Sequence, residues 1–173
     1  MSPPQNLTHL STRLIESAQD WQHFDSLLRT YAANALDQPH LSSIWKDLED
    51  LPARYGPPKG AAVLLCLADQ TPIGCGAIAA TSLQNACEIK RLYIQPAHRG
   101  QGGSKILIQA LMEKALLDGY HQAVLSTWQS NTSGLALYKS MGFHSVPSFK
   151  SHPNSELIYL GRSLGPAKTQ TTQ

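Results

Sequence analysis

The stretch of sequence that decides the fold is residues 87–115, CEIKRLYIQPAHRGQGGSKILIQALMEKA. An apolar-rich run over 88–94 predicts a strand, and apolar residues recurring every three or four positions over 102–117 predict an amphipathic helix. A segment rich in glycine lies between them. The stretch therefore predicts a strand that passes through a glycine-rich turn into a helix.

This turn has the properties of a phosphate-binding junction. Gly100, Gly102 and Gly103 permit positive φ and close approach of a ligand to the backbone. The first turn of a helix presents N–H groups without intrahelical partners, at the positive end of the helix dipole. Arg99 adds a positive charge at the same place, so the junction suits a diphosphate.

Two common phosphate-binding motifs fit the turn poorly. A P-loop needs GxxxxGK followed by Ser or Thr, whereas here Ser104 precedes Lys105, and the motif occurs nowhere in the chain. The dinucleotide fingerprint GxGxxG needs a third glycine where Lys105 stands, and an acidic residue at the tip of a second strand. Asp118 lies at about the required distance of 20 residues, but within an Asp-Gly pair that ends a helix. A Rossmann-like nucleotide binder remains a rival.

Residues 99–104, RGQGGS, resemble the acyl-CoA loop of the GNAT superfamily of N-acetyltransferases, Arg/Gln-x-x-Gly-x-Gly/Ala. Ser104 departs from this pattern, because the family usually has Gly or Ala there, and its hydroxyl could contact a phosphate. Residues 92–96, LYIQP, are similar to the family's strand before the loop. Residues 131–143, NTSGLALYKSMGF, are similar to its later helix. The resemblance covers most of residues 12–164.

The resemblance implies a mixed α+β fold, with helices on both faces of a mostly antiparallel sheet that splays between strands 88–94 and 122–127. Backbone groups of Leu92 and Ile94 are the candidates to pair with the pantetheine arm of coenzyme A, as an added strand would. Acetyl-CoA is the expected cosubstrate. The residues expected to bind it are Leu92, Tyr93, Ile94, Arg99, Gly100, Gln101, Gly102, Gly103, Ser104, Asn131 and Tyr138.

Two residues are the catalytic candidates. By the resemblance, the phenol of Tyr138 points at the thioester sulfur, where it protonates the departing thiolate; the alternative is an ordinary half-buried helix tyrosine. Glu88 is the candidate base, with a structural carboxylate paired with Lys90 or Arg91 as the alternative. Asn131 either contacts the coenzyme A arm or caps its helix.

The expected reaction is direct acetyl transfer to an amine through a tetrahedral intermediate. An alkyl ammonium with a pKa of about 10.4 must lose a proton, which costs about 4–5 kcal/mol at neutral pH. Cys87 is not expected to be a nucleophile, because no activating base lies near it in sequence. The acceptor stays open among small amines, antibiotics, peptide N-termini and protein lysines. A non-catalytic acyl-CoA sensor and a homodimer also remain open.

Other aromatic and histidine residues have alternative roles. Trp128, Tyr93 and Tyr55 either line an acceptor pocket or fill the core. Solvent-exposed or capping roles are expected for His98, His144 and His152, which lack metal-site or triad spacing.

The length of the chain predicts one domain, and the resemblance implies that this domain is an acetyltransferase. The chain has 173 residues, expected to comprise a flexible N-terminus (1–11), the acetyltransferase domain (12–164) and a disordered tail (165–173). A net charge of +2 predicts no nucleic-acid partner. The lack of a long apolar run or signal peptide predicts a cytoplasmic protein without a membrane span. Cys66, Cys75 and Cys87 lie in apolar runs without CxxC spacing, so they are expected to be buried free thiols rather than metal ligands.

The remaining pattern completes the predicted order of elements. It predicts strands at 12–16, 61–68, 72–80, 122–127, 143–149 and 157–160, helices at 18–36 and 41–50, a break at 52–59, and turns at 69–70 and 152–154. Another helix is predicted to start at Ser130 or Asn131 and to end at Gly142, with Phe143 sealing its cap.

Overall fold

The computed structural model describes residues 9–34, 42–151 and 156–165. Their seven strands lie in the order β1-β2-β3-β4-β5-β7-β6, and the sheet is mostly antiparallel, as predicted. No described helix is long and apolar enough to cross a bilayer. The elements are β1 (Ser11–Leu14), α1 (Ala18–Asn34), α2 (Ile44–Asp47), α3 (Leu51–Tyr55), β2 (Gly60–Cys66), β3 (Pro72–Ala80), β4 (Ala86–Ile94), a 3₁₀ turn (Pro96–His98), α4 (Gly103–Leu117), β5 (Gln122–Trp128), α5 (Thr132–Ser140), β6 (His144–Ser145) and β7 (Leu157–Ser163).

The described residues form two compact units. The first runs to Ala79 and includes Ile89–Leu111, and the second comprises Ala80–Glu88 and the chain from Met112 onward. Strand β4 and helix α4 contribute to both units.

The core of the first unit lies under α1 and β2. Every residue of β2 is buried, which explains why this strand reads as a continuous apolar run rather than an alternating one. Phe24 and Leu28 of α1 are fully buried, and the ring of Phe24 meets Tyr55 edge to face at 5.9 Å. Apolar burial on this scale is the main stabilising term of the unit.

A short helix, α3, lies where the prolines predicted a break. The side chain of Asp50 accepts a hydrogen bond from the Ala53 N–H at 3.0 Å and so caps the helix. Pro52 stands in the first turn, where its missing N–H needs no partner, so it supports the helix instead of breaking it. The prediction of a break from residue 52 was wrong, because the helix continues to Tyr55 and is followed by its C-cap residue, Gly56.

In the second unit, β5 pairs in parallel with β4 over Ala86–Glu88 and antiparallel with β7 along its whole length. Helices α4 and α5 both end at a glycine with positive φ, Gly119 at 91° and Gly142 at 87°. The Tyr120 N–H donates to the Ala115 carbonyl, and the Phe143 N–H donates to the Tyr138 carbonyl. These bonds define the glycine caps that the sequence predicted.

Most predicted boundaries agree with the structure within a few residues. The helix predicted over 41–50 is shorter, Ile44–Asp47, and the strand predicted over 143–149 is only His144–Ser145. All three cysteines are buried and free, as expected. Some predictions fall on residues outside the described ranges. These are the ends of the two early helices (35–36 and 41), the turn at 152–154, and parts of the two predicted flexible ends (1–8 and 166–173).

Candidate active site

The glycine-rich turn connects the 3₁₀ turn to α4 in the first unit. Gly100 has φ of 77° and Gly102 has φ of 81°, and a Cβ added at either position would meet no atom within 4 Å. Both positions therefore need glycine for their backbone conformation and not for lack of space. This confirms the positive φ predicted for these two residues.

Gly103 serves a different purpose from the one predicted. It lacks the positive φ of its neighbours, and a Cβ there would lie 2.7 Å from Leu65 Cδ2 and 2.9 Å from Ile94 Cδ1. Gly103 thus lets the start of α4 pack closely on the strands beneath it. The expectation of a positive φ at Gly103 was wrong, because close packing, not the turn, requires this glycine.

The backbone N–H groups of residues 100–105 donate no hydrogen bond to protein atoms among the described residues. The first bond of the helix runs from the Ile106 N–H to the Gly102 carbonyl, at 3.3 Å. Unpaired N–H groups at the start of a helix of this length favour an anion. The loop therefore fits a diphosphate group.

Arg99 is held in place by its neighbours. Its Nε donates to the Ile94 carbonyl at 2.9 Å, and its guanidinium carbon lies 5.8 Å from the centre of the Tyr93 ring. The prediction of a fixed cation beside the loop agrees with this geometry. The Ile94 carbonyl, expected to pair with pantetheine, already accepts this bond, and only its second lone pair remains for a ligand.

The side chains around Leu92 belong to packing. Tyr93 is 5% exposed and its ring lies 5.4 Å from that of Tyr31. Tyr55 is 2% exposed. Of the two roles considered for these tyrosines, the structure confirms the core role for Tyr93 and Tyr55. Trp128 is half-buried, which agrees with both of its predicted roles, core packing and lining of an acceptor pocket.

In the second unit, Glu88 is paired with a lysine that the sequence did not suggest. Its side chain is 8% exposed, and its two carboxylate oxygens lie 2.7 and 3.1 Å from Nζ of Lys150. The alternative partner Arg91 was wrong, because Arg91 pairs with Asp47. Removing one partner of a buried ion pair costs about 3–5 kcal/mol, and partial exposure of Lys150 puts this pair near the lower end.

Helix α5 presents the other two candidates of the second unit. Tyr138 is half-buried, and its ring meets Phe143 edge to face at 6.0 Å. The side chain of Asn131 accepts from the Gly134 N–H at 3.2 Å and donates to Thr127 Oγ1 at 3.0 Å. Asn131 is therefore the helix cap that was one of its two predicted roles.

The comparison with known proteins decides the family. The family model described as "Acetyltransferase (GNAT) family" matches residues 12–143. The chain belongs to the GNAT acetyltransferase family. It is an acyl-CoA-dependent acetyltransferase.

The relatives of this GNAT enzyme agree with the assignment. An uncharacterized N-acetyltransferase of Schizosaccharomyces pombe is 27% identical over 162 residues, which cover 92% of this chain and 96% of that protein. Human N-acetylaspartate synthetase is 27% identical over 117 residues, 67% of this chain but only 39% of that protein. The PaiA N-acetyltransferase of Thermoplasma acidophilum, solved with coenzyme A, shares the fold, with a TM-score of 0.68 and 18% identity over 90% of this chain and 99% of that one.

The GNAT fold overturns the rival prediction of a Rossmann-like nucleotide binder. A Rossmann sheet is mostly parallel, whereas here the parallel pairing of β4 with β5 stands among antiparallel pairings. The glycine spacing alone could not separate the two folds.

The GNAT resemblance did not indicate a buried cluster around Asp47, which is 2% exposed. Arg91, which has φ of 60° within β4, donates from Nε to Asp47 Oδ2 at 2.9 Å and from a terminal nitrogen to Ser43 Oγ at 2.8 Å. The Tyr55 hydroxyl also donates to Asp47, and burial raises its pKa far above the ordinary value. A left-handed arginine costs about 1–2 kcal/mol, so this cluster stabilises the strained backbone just before Leu92. Its members lie up to 48 residues apart, and no local pattern signals them.

Cys87 has no sign of an activated thiol. It is fully buried, and burial raises its pKa to about 12. A nucleophilic cysteine needs a lowered pKa and access to substrate. The environment of Cys87 therefore agrees with the expectation that it forms no acyl-enzyme.

Proposed function

We propose that this GNAT enzyme transfers an acetyl group from acetyl-CoA directly to a primary amine. The observation that carries the proposal is the run of backbone N–H groups over residues 100–105, which have no partners within the described part of the chain and lie beside the anchored guanidinium of Arg99. Donors and charge of this kind match the diphosphate of a coenzyme A thioester. Acetyl-CoA supplies the acyl group as an activated thioester when it is bound.

In this proposal, the backbone holds the cosubstrate in the first unit. The amides of residues 100–105 and Arg99 bind the diphosphate, and Ser104 adds a hydroxyl. Backbone groups of Leu92 and Ile94 pair with the amide-rich arm, as an added strand would. For Asn131 to contact coenzyme A, its side chain must exchange a bond to Gly134 or to Thr127 for one to the ligand.

Two side chains of the second unit handle protons. Glu88 binds the ammonium of the acceptor and takes its proton. This role is supported by its present partner, because the buried carboxylate already pairs with a primary ammonium, that of Lys150. Tyr138 donates its phenolic proton to the leaving thiolate sulfur. No acyl-enzyme forms.

The names of its relatives support an amine acceptor, because several of them are called N-acetyltransferases. A small amine, a peptide N-terminus and a protein lysine all fit this class. A cytoplasmic location and a homodimer stay predictions from the sequence. Nothing in the described ranges favours the alternative of a non-catalytic acyl-CoA sensor.

The test of the loop is Ser104→Asp, measured by titration calorimetry with acetyl-CoA. A carboxylate beside the phosphates should repel them and weaken binding by at least about a hundredfold. The fold should survive, because an acidic residue in the first turn of α4 is favourable to the helix.

The matched control is Ser104→Ala, which places a small residue typical of GNAT loops at this position and should keep most of the affinity. Equal affinity of the Asp variant and the wild type would contradict the assignment of the diphosphate to this loop.

A further inference from the structure

The carboxylate of Glu88 is occupied by a primary ammonium of the protein itself. Glu88 is 6% exposed, and both of its oxygens contact Lys150 Nζ, at 2.7 and 3.1 Å. A buried carboxylate needs a cation beside it, and here the chain provides one from 62 positions away. In the proposed reaction, however, the same carboxylate must bind the ammonium of the acceptor.

The backbone of Lys150 is anchored, whereas its side chain is accessible. Its carbonyl accepts hydrogen bonds from Ser148 Oγ at 2.8 Å and from the Tyr159 hydroxyl at 3.3 Å. The side chain is 35% exposed, with Nζ 5.7 Å from the centre of the Phe149 ring. A lysine stem has four rotatable bonds, so the ammonium can leave Glu88 while the backbone stays in place.

We infer that Lys150 is an internal occupant of the acceptor's ammonium site, and that the acceptor binds Glu88 by displacing it. This inference rests on the proposed function, in which Glu88 handles the amine. The occupant indicates the class of acceptor: an aliphatic primary amine, whose compact ammonium matches that of lysine, with an apolar stem beside Phe149. A planar guanidinium presents a different shape and a different set of donors.

The experiment removes the Lys150 side chain by mutation and adds a small amine in solution to take its place. Lys150→Ala removes Cγ, Cδ, Cε and Nζ, which are the atoms that n-propylamine supplies. The variant should lose about 6–12 °C in Tm, because Glu88 is left buried without its cation. Propylammonium should restore at least half of this loss, and n-propanol, which has the same shape but no charge, should restore none.

Two controls isolate the site. Lys139→Ala removes an exposed lysine of α5 that forms no ion pair among the described residues, and propylammonium should not change its Tm. The double variant Glu88→Gln, Lys150→Ala lacks the carboxylate and should not be rescued. If Lys150→Ala folds only when propylammonium is present, refolding with the amine but not with propanol gives the same answer.

The same variants connect the site to the reaction. With acetyl-CoA, Lys150→Ala should form N-propylacetamide at least about tenfold faster than the wild type, because no internal ammonium competes. An unchanged Tm, rescue of the double variant, or equal rates of acetylation in Lys150→Ala and the wild type would each overturn the inference. Calorimetry of acetyl-CoA binding to the wild type distinguishes a failure of this inference from a failure of the proposed function. If the wild type does not bind acetyl-CoA, the proposed function itself is wrong.

Discussion

Tyr138 shows how a single side chain is placed by the end of its helix. It lies in the last turns of α5, its carbonyl accepts the Phe143 N–H of the glycine cap, and its ring packs on Phe143. The cap thus fixes the backbone and the ring together. A phenol held in this way can deliver a proton to one defined position.

Tyr138→Phe removes the hydroxyl and keeps the ring contact with Phe143. We expect kcat to fall by about a hundredfold with little change in the KM for acetyl-CoA, because a general acid acts in the transition state. Thiol release from acetyl-CoA, measured with an accepted amine, gives both constants.

The control is Tyr120→Phe, which changes a partly buried tyrosine outside the candidate site and should leave kcat unchanged. If Tyr138→Phe turns over as fast as the wild type, Tyr138 contributes packing alone.

At the scale of elements, the start of α4 depends on two kinds of glycine. Gly100 and Gly102 supply left-handed backbone in open space, whereas Gly103 supplies close contact with Leu65 and Ile94. The glycines of this turn therefore meet two different physical requirements, positive φ and close packing, and we expect substitutions at them to have different effects.

Gly103→Ala should destabilise the protein by about 1–3 kcal/mol, because the new methyl group overlaps two buried side chains. Helix propensity alone predicts the opposite sign, since alanine is favoured over glycine inside a helix. Urea denaturation gives the free energy of unfolding.

Gly102→Ala is the matched comparison, with open space and a cost of about 1 kcal/mol from its positive φ. A Gly103→Ala protein at least as stable as the wild type would contradict the packing role.

Elements were predictable where their signals are local. The cap at Asn131, the glycine stops at Gly119 and Gly142, and the turn before α4 each depend on residues within one or two turns of each other. Helix α3 was missed because proline was interpreted as a breaker, although it is favourable in a first turn.

The site residues that the sequence did not reveal depend on contacts between distant segments. Lys150 reaches Glu88 from 62 positions away, and Arg91 reaches Asp47 from 44. The role of Gly103 at the start of α4 likewise depends on Leu65, which belongs to β2. No periodicity or spacing encodes such pairs, so they emerge only from the folded chain.

At the scale of the whole molecule, three buried thiols make the free energy of unfolding vary with pH in the alkaline range. Cys66, Cys75 and Cys87 are each fully buried, and burial raises the pKa of every one of them, that of Cys87 to about 12. Below pH about 9 the thiols are protonated in both the folded and the unfolded chain, so their contribution to stability is complete there. Above it, the unfolded chain loses these protons while the folded chain retains them.

The free energy of unfolding should therefore fall as pH rises above about 9, by up to about 1.4 kcal/mol per pH unit for each thiol. Urea denaturation at a series of pH values tests this, and Cys87→Ala should make the decline shallower. A free energy that stays constant up to pH about 10.5 would mean that the thiols titrate alike in both states.

Exchange of a residue in a left-handed conformation for glycine relaxes the main chain, because glycine adopts positive φ without strain. At position 91 this exchange would remove the more buried of the two guanidinium groups that pair with Asp47 inside the first unit, and leave only Arg54, whose side chain is 45% exposed. Backbone relaxation and charge balance thus oppose each other at one residue. Directed evolution of a hardier enzyme should alter Arg91 only together with Asp47.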